Sequence, residues 1–512
     1  MKKNIAITTI TLMVITLINR FLGFAREFLI AYYFGAGYES DSFFIANTIP
    51  NFIATLFISG TLSAAFIPVF IDIKSKNNKE SINLFETIFT WIIIISAFIM
   101  GILLLFSENI ISIIAPGLST AELYLTSNLF IIMIPMIMFL LLSGLLTAIN
   151  QANHSFNAPM IAIGFSNVVL ILFVLCTVKS IGIYALAYGT LLGTFAQFIF
   201  NYITFRKFGL KLKINKVLIN KNIINICKLS ILVIVGLAVS QIILIMDRFF
   251  ASNFSEGYVT AFMLCNKLIQ LPVGVLGSSI ATVIFPIIAN FAIEKQGEDI
   301  EKVVSKTIIN LIFITVPIMM FINYDSLPII KILFERGQFS DADSILTSNV
   351  FSLYALSILP LSLIIILTRI FNALQKNKTP IFIGMIALVI KIITSIVLIE
   401  KLGPKGLIYS TIFTNYILVF LSIFSINSML GNIFLNKKMM LDTCKIILAA
   451  VIPITLLRNI EKLMIIENLY IDYSIKAVTF IFSYIILSIL FKSEQVTAIY
   501  QKNKFKLFNR KK

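Results

Sequence analysis

The sequence has 512 residues, of which 59% are hydrophobic and 13% charged, and its mean hydropathy is +0.98. Soluble domains contain about 25% charged residues, so this composition excludes a soluble protein and indicates a polytopic membrane protein. The net charge of +17 follows from basic residues in the loops of such a protein, so no nucleic-acid partner is predicted.

Long apolar runs divide the chain into predicted membrane spans. A span needs about 20 residues, and because a bilayer offers no water to the backbone, continuous runs of this length indicate helices. The sequence therefore predicts an all-α polytopic membrane protein with 14 transmembrane helices. In chain order the predicted spans are 5–33, 42–72, 84–106, 122–149, 158–178, 182–204, 223–250, 257–290, 306–324, 343–373, 379–400, 405–427, 440–458 and 473–492.

Lys and Arg residues are divided unevenly between the two sides of the membrane. With the N-terminus inside, 26 of the 41 fall in cytoplasmic segments and 8 in outer loops. The positive-inside rule therefore predicts that both termini are cytoplasmic. The basic stretch 205–221 then lies at the inner face, either as an amphipathic surface helix or as a solvated connector, and membrane lipids are a predicted partner.

Two segments of the first half have similar segments in the second half, the first of them 221 residues later. IGIYALAYGT at 181–190 resembles LGPKGLIYST at 402–411, and AINQANHSFNAP at 148–159 resembles ALQKNKTP at 373–380. Because six spans separate the copies, the repeat predicts two pseudo-symmetric six-helix lobes plus two C-terminal helices, as in alternating-access transporters. The predicted domains are an N-lobe at 1–204, a basic cytoplasmic connector at 205–222, a C-lobe at 223–427, two last helices at 428–492 and a basic cytoplasmic tail at 493–512.

The first span carries charges in its middle. At 100° per residue, Asn19, Arg20, Gly23, Arg26 and Glu27 share one arc of about 120°. A charge at the bilayer centre costs at least ~2.5 kcal/mol, so these groups are expected to face a wet cavity or each other. An Arg20–Glu27 pair that only bridges helices is the structural alternative.

Other spans also contain charged residues, and cations outnumber anions among them. Those considered for the cavity are Asp247, Arg248, Lys267, Arg369 and Lys391. An anionic substrate would balance the excess, since the guanidinium fork of arginine suits phosphate oxygens and lysine acts as a point charge. The pattern predicts a cationic binding cavity.

Enzyme motifs are missing from the sequence. It has no P-loop, GxSxG or HExxH motif and no metal-ligand cluster, and its one histidine, His154, falls in a short polar turn. We therefore expect a transporter without a cofactor and not an enzyme. A monovalent cation such as Na⁺ or the membrane potential would supply the energy.

A series of short motifs resembles one transporter family. In order they are NRFLGFARE, FGAGYESDSFF, IPNF, FASNF, LPVGVLGSSIATVIFP, LFERGQFS and ALQKNKTPIFIG. They resemble the MurJ (MviN) lipid II flippases of the multidrug/oligosaccharidyl-lipid/polysaccharide (MOP) exporter superfamily. The resemblance implies a bacterial cytoplasmic-membrane protein of cell wall biogenesis that moves undecaprenyl-pyrophosphate-linked peptidoglycan precursor, lipid II, to the outer leaflet. It also implies a groove for the lipid tail beside the two last helices.

The resemblance also implies site residues. Arg20, Arg26 and Asp41 match family cavity positions, and the full predicted substrate-binding set is Arg20, Arg26, Glu27, Asp41, Asn51, Lys267 and Arg369. The predicted cation-site or salt-bridge set is Asp247, Lys391, Ser395 and Thr411. Some members hold a monovalent cation at this second set, and our hypothesis is that the Lys391 ammonium replaces it and pairs with Asp247.

Departures from the family pattern leave alternatives open. Ala54, Thr55 and Ser59 stand where arginines and a glutamate are usual, and Asn266–Lys267 replaces Asp-Arg. One alternative is a flippase for another lipid-linked glycan of teichoic-acid, capsule or O-antigen type. A drug antiporter is disfavoured, because acidic residues would be expected in its cavity. The other is a transport-inactive scaffold that recruits cell-wall synthesis proteins through 205–221 or the tail. Retention of Arg20 and Arg26 argues against a scaffold, because charges in a membrane are costly.

Overall fold

The computed structural model describes residues 2–216, 221–294, 297–430, 437–461, 467–493 and 495. These residues are almost entirely helical, and they contain no strand. The helices of the first half are α1 (Lys2–Phe34), α2 (Tyr38–Ala46), α3 (Thr48–Thr55), a π-helical segment (Leu56–Phe66), α4 (Ile67–Lys76), α5 (Asn78–Leu105), α6 (Ser107–Ile114), α7 (Thr120–Met133), α8 (Met136–Ala152), α9 (Asn157–Ile181), α10 (Tyr184–Phe205) and α11 (Lys221–Ala251). Those of the second half are α12 (Tyr258–Ile293), α13 (Gly297–Tyr324), α14 (Ser326–Phe334), α15 (Asp341–Tyr354), α16 (Ile358–Ala373), α17 (Lys378–Leu402), α18 (Pro404–Leu430), α19 (Lys437–Glu461) and α20 (Leu469–Leu490).

Membrane-crossing helices dominate the described chain. Twelve of its helical segments are long and apolar enough to cross a membrane. They coincide with twelve of the predicted spans, and the remaining two, 5–33 and 182–204, coincide with α1 and α10. The prediction of an all-α membrane protein is confirmed, whereas the count of 14 stays a prediction.

Packing divides the chain into two compact units. The first unit is Met1–Thr260 with Arg336–Ser340, and the second is Ala261–Glu335 with Asp341–Lys512. In the first unit α9 packs on α10 and α1, and α11 packs on the π-helical segment. In the second, α17 packs on α18, and α13 packs on α16 and α19. This division by packing differs from the repeat-based division at the connector, which stays a prediction.

The π-helical segment approaches α11 closely at Gly60. A side chain there would lie 2.8 Å from Cγ1 of Ile234, so glycine permits the contact. Pro68 lies in the first turn of α4, directly after the π-helical segment.

The sequence repeat has the same backbone geometry in both copies. His154 and Gln375, which are 221 residues apart, have φ of 60° and 57°. Gly182 and Gly403, with the same separation, end α9 and α17 at φ/ψ of 56°/−136° and 57°/−137°. Such conformations are uncommon, so their recurrence at one spacing supports the repeat. His154 is also exposed, as expected for a solvated turn residue.

The basic connector differs from one of its two predicted forms. Residues 206–208 form a 3₁₀ turn, and 209–216 have no helix, so the amphipathic-helix alternative is wrong for this part. Leu210 and Leu212 alternate with Lys211 and Lys213, which suits an extended chain with one packed side. Residues 217–220 lie outside the described residues, as does the tail 493–512 except for 493 and 495.

The two last helices pack against α13 and are fixed by polar contacts. The hydroxyl of Tyr484 in α20 donates to the carbonyl of Phe313 at 2.7 Å. Nζ of Lys476 lies 2.6 Å from Oε1 of Glu461 and 2.6 Å from Oδ2 of Asp472. Lys476 therefore links the end of α19 to the first turns of α20.

Asp325, between α13 and α14, gives the second unit a pH-dependent stability. The side chain is 8% exposed, and burial raises its pKa to about 6, although Lys476 lowers it. Because this pKa exceeds that of the unfolded chain, about 3.9, the native state binds the proton more tightly and stability falls as pH rises from about 4 to about 6. Asp325→Asn should therefore raise the Tm at about pH 7.5 by about 1–3 °C and have little effect near pH 4. Thermal unfolding in detergent measures this.

The matched control is Asp299→Asn, an exposed aspartate of the same unit, which should leave the Tm unchanged at both pH values. A lower Tm for Asp325→Asn at about pH 7.5 would contradict the assignment.

Candidate functional site

The polar face of α1 contains one ion pair and one unsatisfied arginine. Nη2 of Arg26 donates to Oε1 of Glu27 at 2.7 Å, and Glu27 is buried. Glu27 makes its ion pair with Arg26, and its second carboxylate oxygen has no hydrogen-bond partner, so the alternative of an Arg20–Glu27 pair is wrong. Nε of Arg26 and Oε2 of Glu27 are buried without a hydrogen-bond partner, so the pair retains one spare donor and one spare acceptor.

Arg20 is half-buried, nearly two helical turns before that pair. Its Nη1 is buried and has no hydrogen-bond partner. Next to it, Nδ2 of Asn19 donates to the carbonyl of Met160 in α9 at 2.8 Å, and Gly164 leaves room for the Asn19 side chain. A guanidinium that is partly desolvated and incompletely bonded in a membrane helix has the chemistry to bind an anion.

Asp41 is buried at the start of α2 and binds the first turn of α12. Its Oδ2 accepts from the backbone N–H of Gly257 at 2.8 Å, and its Oδ1 accepts from N–H of Thr260 at 2.7 Å and from Oγ1 of Thr260 at 2.5 Å. The carboxylate thus acts as an N-terminal cap supplied by another helix. The structure gives Asp41 a helix-linking role in the first unit, in addition to the predicted place in the cavity.

The exposed face of α3 and the π-helical segment is polar but uncharged. Asn51 and Ser59 are exposed, Thr55 is half-buried and Ala54 is buried. Nδ2 of Asn51 donates to its own helix at the carbonyl of Asn47, 2.8 Å away. The departures from the family pattern therefore leave hydroxyl and amide groups on this face. The π-helical backbone is a second feature of the segment, since π-helical segments are frequent at functional sites.

Lys391 is buried between α17 and α18 in the second unit, with 0% exposure. Its Nζ donates to Oγ of Ser410 at 2.9 Å and to Oγ1 of Thr411 at 2.5 Å. The hydroxyls of Ser410 and Ser395 are 2.8 Å apart. Three of the four predicted cation-site residues, Lys391, Ser395 and Thr411, therefore meet in one polar cluster.

The remaining predicted residues are placed differently. Asp247 is buried near the end of α11 in the first unit. Lys267 in α12 and Arg369 in α16 are exposed side chains of the second unit. Both retain an accessible positive charge within a membrane-crossing helix.

Sequence reasoning missed Ser410 and Thr260. Ser410 precedes Thr411 in the repeated segment, and its small polar side chain gave no signal that it would contact Lys391. Thr260 is the third residue of α12, a position whose N–H needs a cap, but its partner lies 219 residues earlier in the chain. Only the tertiary structure brings such groups together.

Comparisons with known proteins find similarity along most of the chain. The model of the family described as lipid II flippase MurJ matches residues 30–474. The probable lipid II flippase MurJ of Buchnera aphidicola subsp. Schizaphis graminum is 30% identical over 427 residues, or 82% of each chain. That of Vibrio cholerae is 28% identical over 410 residues, or 77% of this chain and 78% of the relative.

Solved structures show the same fold. A lipid II flippase MurJ in an inward closed conformation aligns with a TM-score of 0.82 at 24% identity, over 94% of this chain and 99% of that one. An inward-facing MATE family multidrug transporter of the MOP superfamily aligns with a TM-score of 0.69 at 13% identity, over 83% and 96%. With the family model covering most of its length, the chain belongs to the MurJ lipid II flippase family of multi-pass membrane proteins.

Proposed function

We propose that this chain is a flippase that moves undecaprenyl-pyrophosphate-linked peptidoglycan precursor from the cytoplasmic to the outer leaflet by alternating access. Membership of the MurJ family supports the proposal. The observation that carries it is the buried, unpartnered Nη1 of Arg20 in the middle of α1. A donor of this kind needs an acceptor, and the pyrophosphate oxygens of a lipid-linked sugar provide several.

The residues of the polar face have separate roles in this mechanism. Arg20 binds the pyrophosphate, and the spare Nε of Arg26 adds a second donor while Glu27 fixes the position of Arg26. Lys267 and Arg369 are the predicted substrate-binding cations of the second unit, and both are exposed. The polyprenyl tail stays in lipid beside α19 and α20.

Membrane potential is the proposed driving force. We place both termini in the cytoplasm, because most Lys and Arg residues fall in the segments on that side of the membrane. A potential that is negative inside favours outward movement of an anionic head group by ~2.3 kcal/mol per charge per 100 mV. The field therefore lowers the free energy of the bound anionic head group as it moves outward.

We also propose that the ammonium of Lys391 takes the place of a bound monovalent cation. It lies among the hydroxyls of Ser395, Ser410 and Thr411, and oxygen groups of this kind also bind sodium. A tethered ammonium would make transport independent of external sodium.

Complementation of a bacterial strain depleted of its own lipid II flippase tests the function. The wild-type chain should restore growth, and Arg20→Ala at equal expression should not. Loss of a charged hydrogen-bonding group lowers binding by about 10- to 100-fold, which should also appear as a slower rate in vesicles containing lipid II. Lys179→Ala, which removes an exposed cation at the end of α9, is the matched control and should behave as wild type.

Arg26 requires a paired design because Arg26→Ala leaves Glu27 buried and unpaired. Arg26→Ala with Glu27→Ala removes the whole pair without a net change of charge. If Arg26 binds substrate, the double variant fails as the single one does; if it serves only to neutralise Glu27, the double variant restores growth.

The same strains distinguish the two alternatives from the proposed function. Growth with Arg20→Ala equal to growth with wild type would mean that Arg20 does not bind the substrate. Failure of the wild type despite correct insertion would favour another lipid-linked glycan or a transport-inactive scaffold, and for another glycan the uncharged face at Thr55 and Ser59 would be the leading difference.

A further inference from the structure

The basic connector contains a dense group of positive charges. No Asp or Glu occurs between positions 206 and 222. Six Lys and Arg residues of this segment are exposed, namely Arg206, Lys207, Lys211, Lys213, Lys216 and Lys221. The function proposed above uses none of them.

The described residues 205–216 of the connector are fixed to the first unit by packing and hydrogen bonds. The ring of Phe205, fully buried at the end of α10, lies 5.1 Å from that of Phe85 in α5. The backbone N–H of Asn215 donates to Oγ1 of Thr90 at 2.9 Å, and its side-chain amide donates to Oγ1 of Thr87 at 3.1 Å. The connector therefore crosses α5 with a defined register.

A second polar contact fixes the far end of the connector. Nδ2 of Asn222, in the first turn of α11, donates to Oε1 of Glu80 in the first turn of α5 at 2.9 Å. The Glu80 carboxylate is thus hydrogen-bonded to the neutral side-chain amide of Asn222. Both ends of the connector are therefore attached to the same helix.

Attachment turns one side of the connector outward. Leu210 and Leu212 are half-buried, whereas Lys211 and Lys213 are exposed. Ile214, beside these lysines, is 71% exposed. An exposed isoleucine among lysines suits a bilayer interface, where lysine stems lie along acyl chains and the ammonium groups reach the head groups.

Neighbouring helix ends add to this surface. Lys74 and Lys76 are in the last turn of α4, and Lys79 is in the first turn of α5. Asp72 neutralises part of this charge through its 2.8 Å contact with Lys76. The net surface remains strongly positive.

We propose that the basic connector is a binding site for anionic phospholipid head groups of the cytoplasmic leaflet. The proposal rests on the orientation proposed above, and it concerns a lipid other than the transported one. Each lysine near an anionic bilayer surface contributes about 1 kcal/mol, or roughly fivefold in relative lipid binding. The attached backbone lets several lysines act on the same group of lipids.

Tryptophan fluorescence measures this binding directly. The chain has one tryptophan, Trp91, so Trp91→Phe with Ile214→Trp places a single reporter on the connector. Quenching in nanodiscs by brominated phosphatidylglycerol and by brominated phosphatidylcholine gives the relative affinity for the two lipids. We expect a preference for phosphatidylglycerol of about tenfold or more.

A triple variant, Lys211→Gln, Lys213→Gln and Lys216→Gln, should reduce that preference to within about twofold. The matched control removes three exposed lysines elsewhere, Lys179, Lys401 and Lys405, and should retain it. Asn215→Ala keeps every charge but removes the two hydrogen bonds that the side-chain amide donates to α5, to Oγ1 of Thr87 and to the carbonyl of Asn83. It should weaken the preference by about two- to fivefold.

Three outcomes would overturn the proposal. A reporter that does not distinguish the two lipids in the otherwise unchanged chain would leave a soluble acidic protein as the partner class. An equal loss in the control variant would show a general charge effect, and no change with Asn215→Ala would show that the attached geometry is irrelevant. None of these readouts depends on flippase activity, so failure here is separable from failure of the proposed function.

Discussion

Lys391→Asn should make the protein depend on sodium for both stability and transport. The substitution removes a fully buried ammonium and leaves the hydroxyls of Ser410 and Thr411 without their donor. Each hydrogen bond from a charged donor contributes about 1.5–3 kcal/mol, so the loss of two lowers the population of the competent arrangement by more than a hundredfold. A sodium ion that enters the vacated cluster would recover part of this loss, because asparagine and hydroxyl oxygens are suitable ligands.

The measurement compares thermal unfolding and lipid II transport in sodium chloride and in N-methylglucamine chloride. Wild type should give equal results in both salts, whereas Lys391→Asn should have a higher Tm and faster transport in sodium. Lys401→Asn is the matched control, since Lys401 is an exposed lysine of the same helix. Sodium dependence in the wild type, or full and sodium-independent activity in Lys391→Asn, would refute the tethered-cation proposal.

Asp41→Ala should destabilise the first unit and abolish complementation. The backbone N–H groups of Gly257 and Thr260 would lose their only acceptor at the start of α12. An unsatisfied buried donor costs about 1–3 kcal/mol, so two of them predict a loss of about 2 to 6 kcal/mol. Asp41→Asn retains one carbonyl acceptor and should have about half the effect of Asp41→Ala.

Thermal unfolding of the purified variants, together with growth of the depleted strain, tests this prediction. Asp72→Ala in the same unit removes an exposed carboxylate whose ion pair with Lys76 is worth less than about 1 kcal/mol, and it should be nearly neutral. An unchanged Tm for Asp41→Ala would mean that α12 begins equally well without this cap. A normal Tm combined with lost growth would instead place Asp41 in substrate binding.

Periodicity and repetition carry much information in a membrane protein. Spans are recognisable because the bilayer requires long apolar helices, and the repeat is recognisable because two copies need the same turns. The pairs His154 and Gln375, and Gly182 and Gly403, show that the repeated residues encode matching backbone geometry. Neither inference needs knowledge of which helices touch.

The polar face of α1 was predictable for a similar reason. Helical spacing alone puts Arg20, Arg26 and Glu27 on one side, but it does not select the partner of Glu27. The structure selects Arg26, because the two long side chains of adjacent residues can bend toward each other, and this leaves Arg20 with an unused donor.

The amino-acid sequence by itself determined the helical membrane class, the repeat and the family, since each depends on local composition or on motifs within single segments. Only the tertiary structure decided that Asp41 caps α12, that Ser410 joins Thr411 around Lys391, and that Asn215 attaches the basic connector to α5. These contacts join residues from different helices. Their partners are set by how side chains pack between helices, which the apolar pattern of any one helix does not specify.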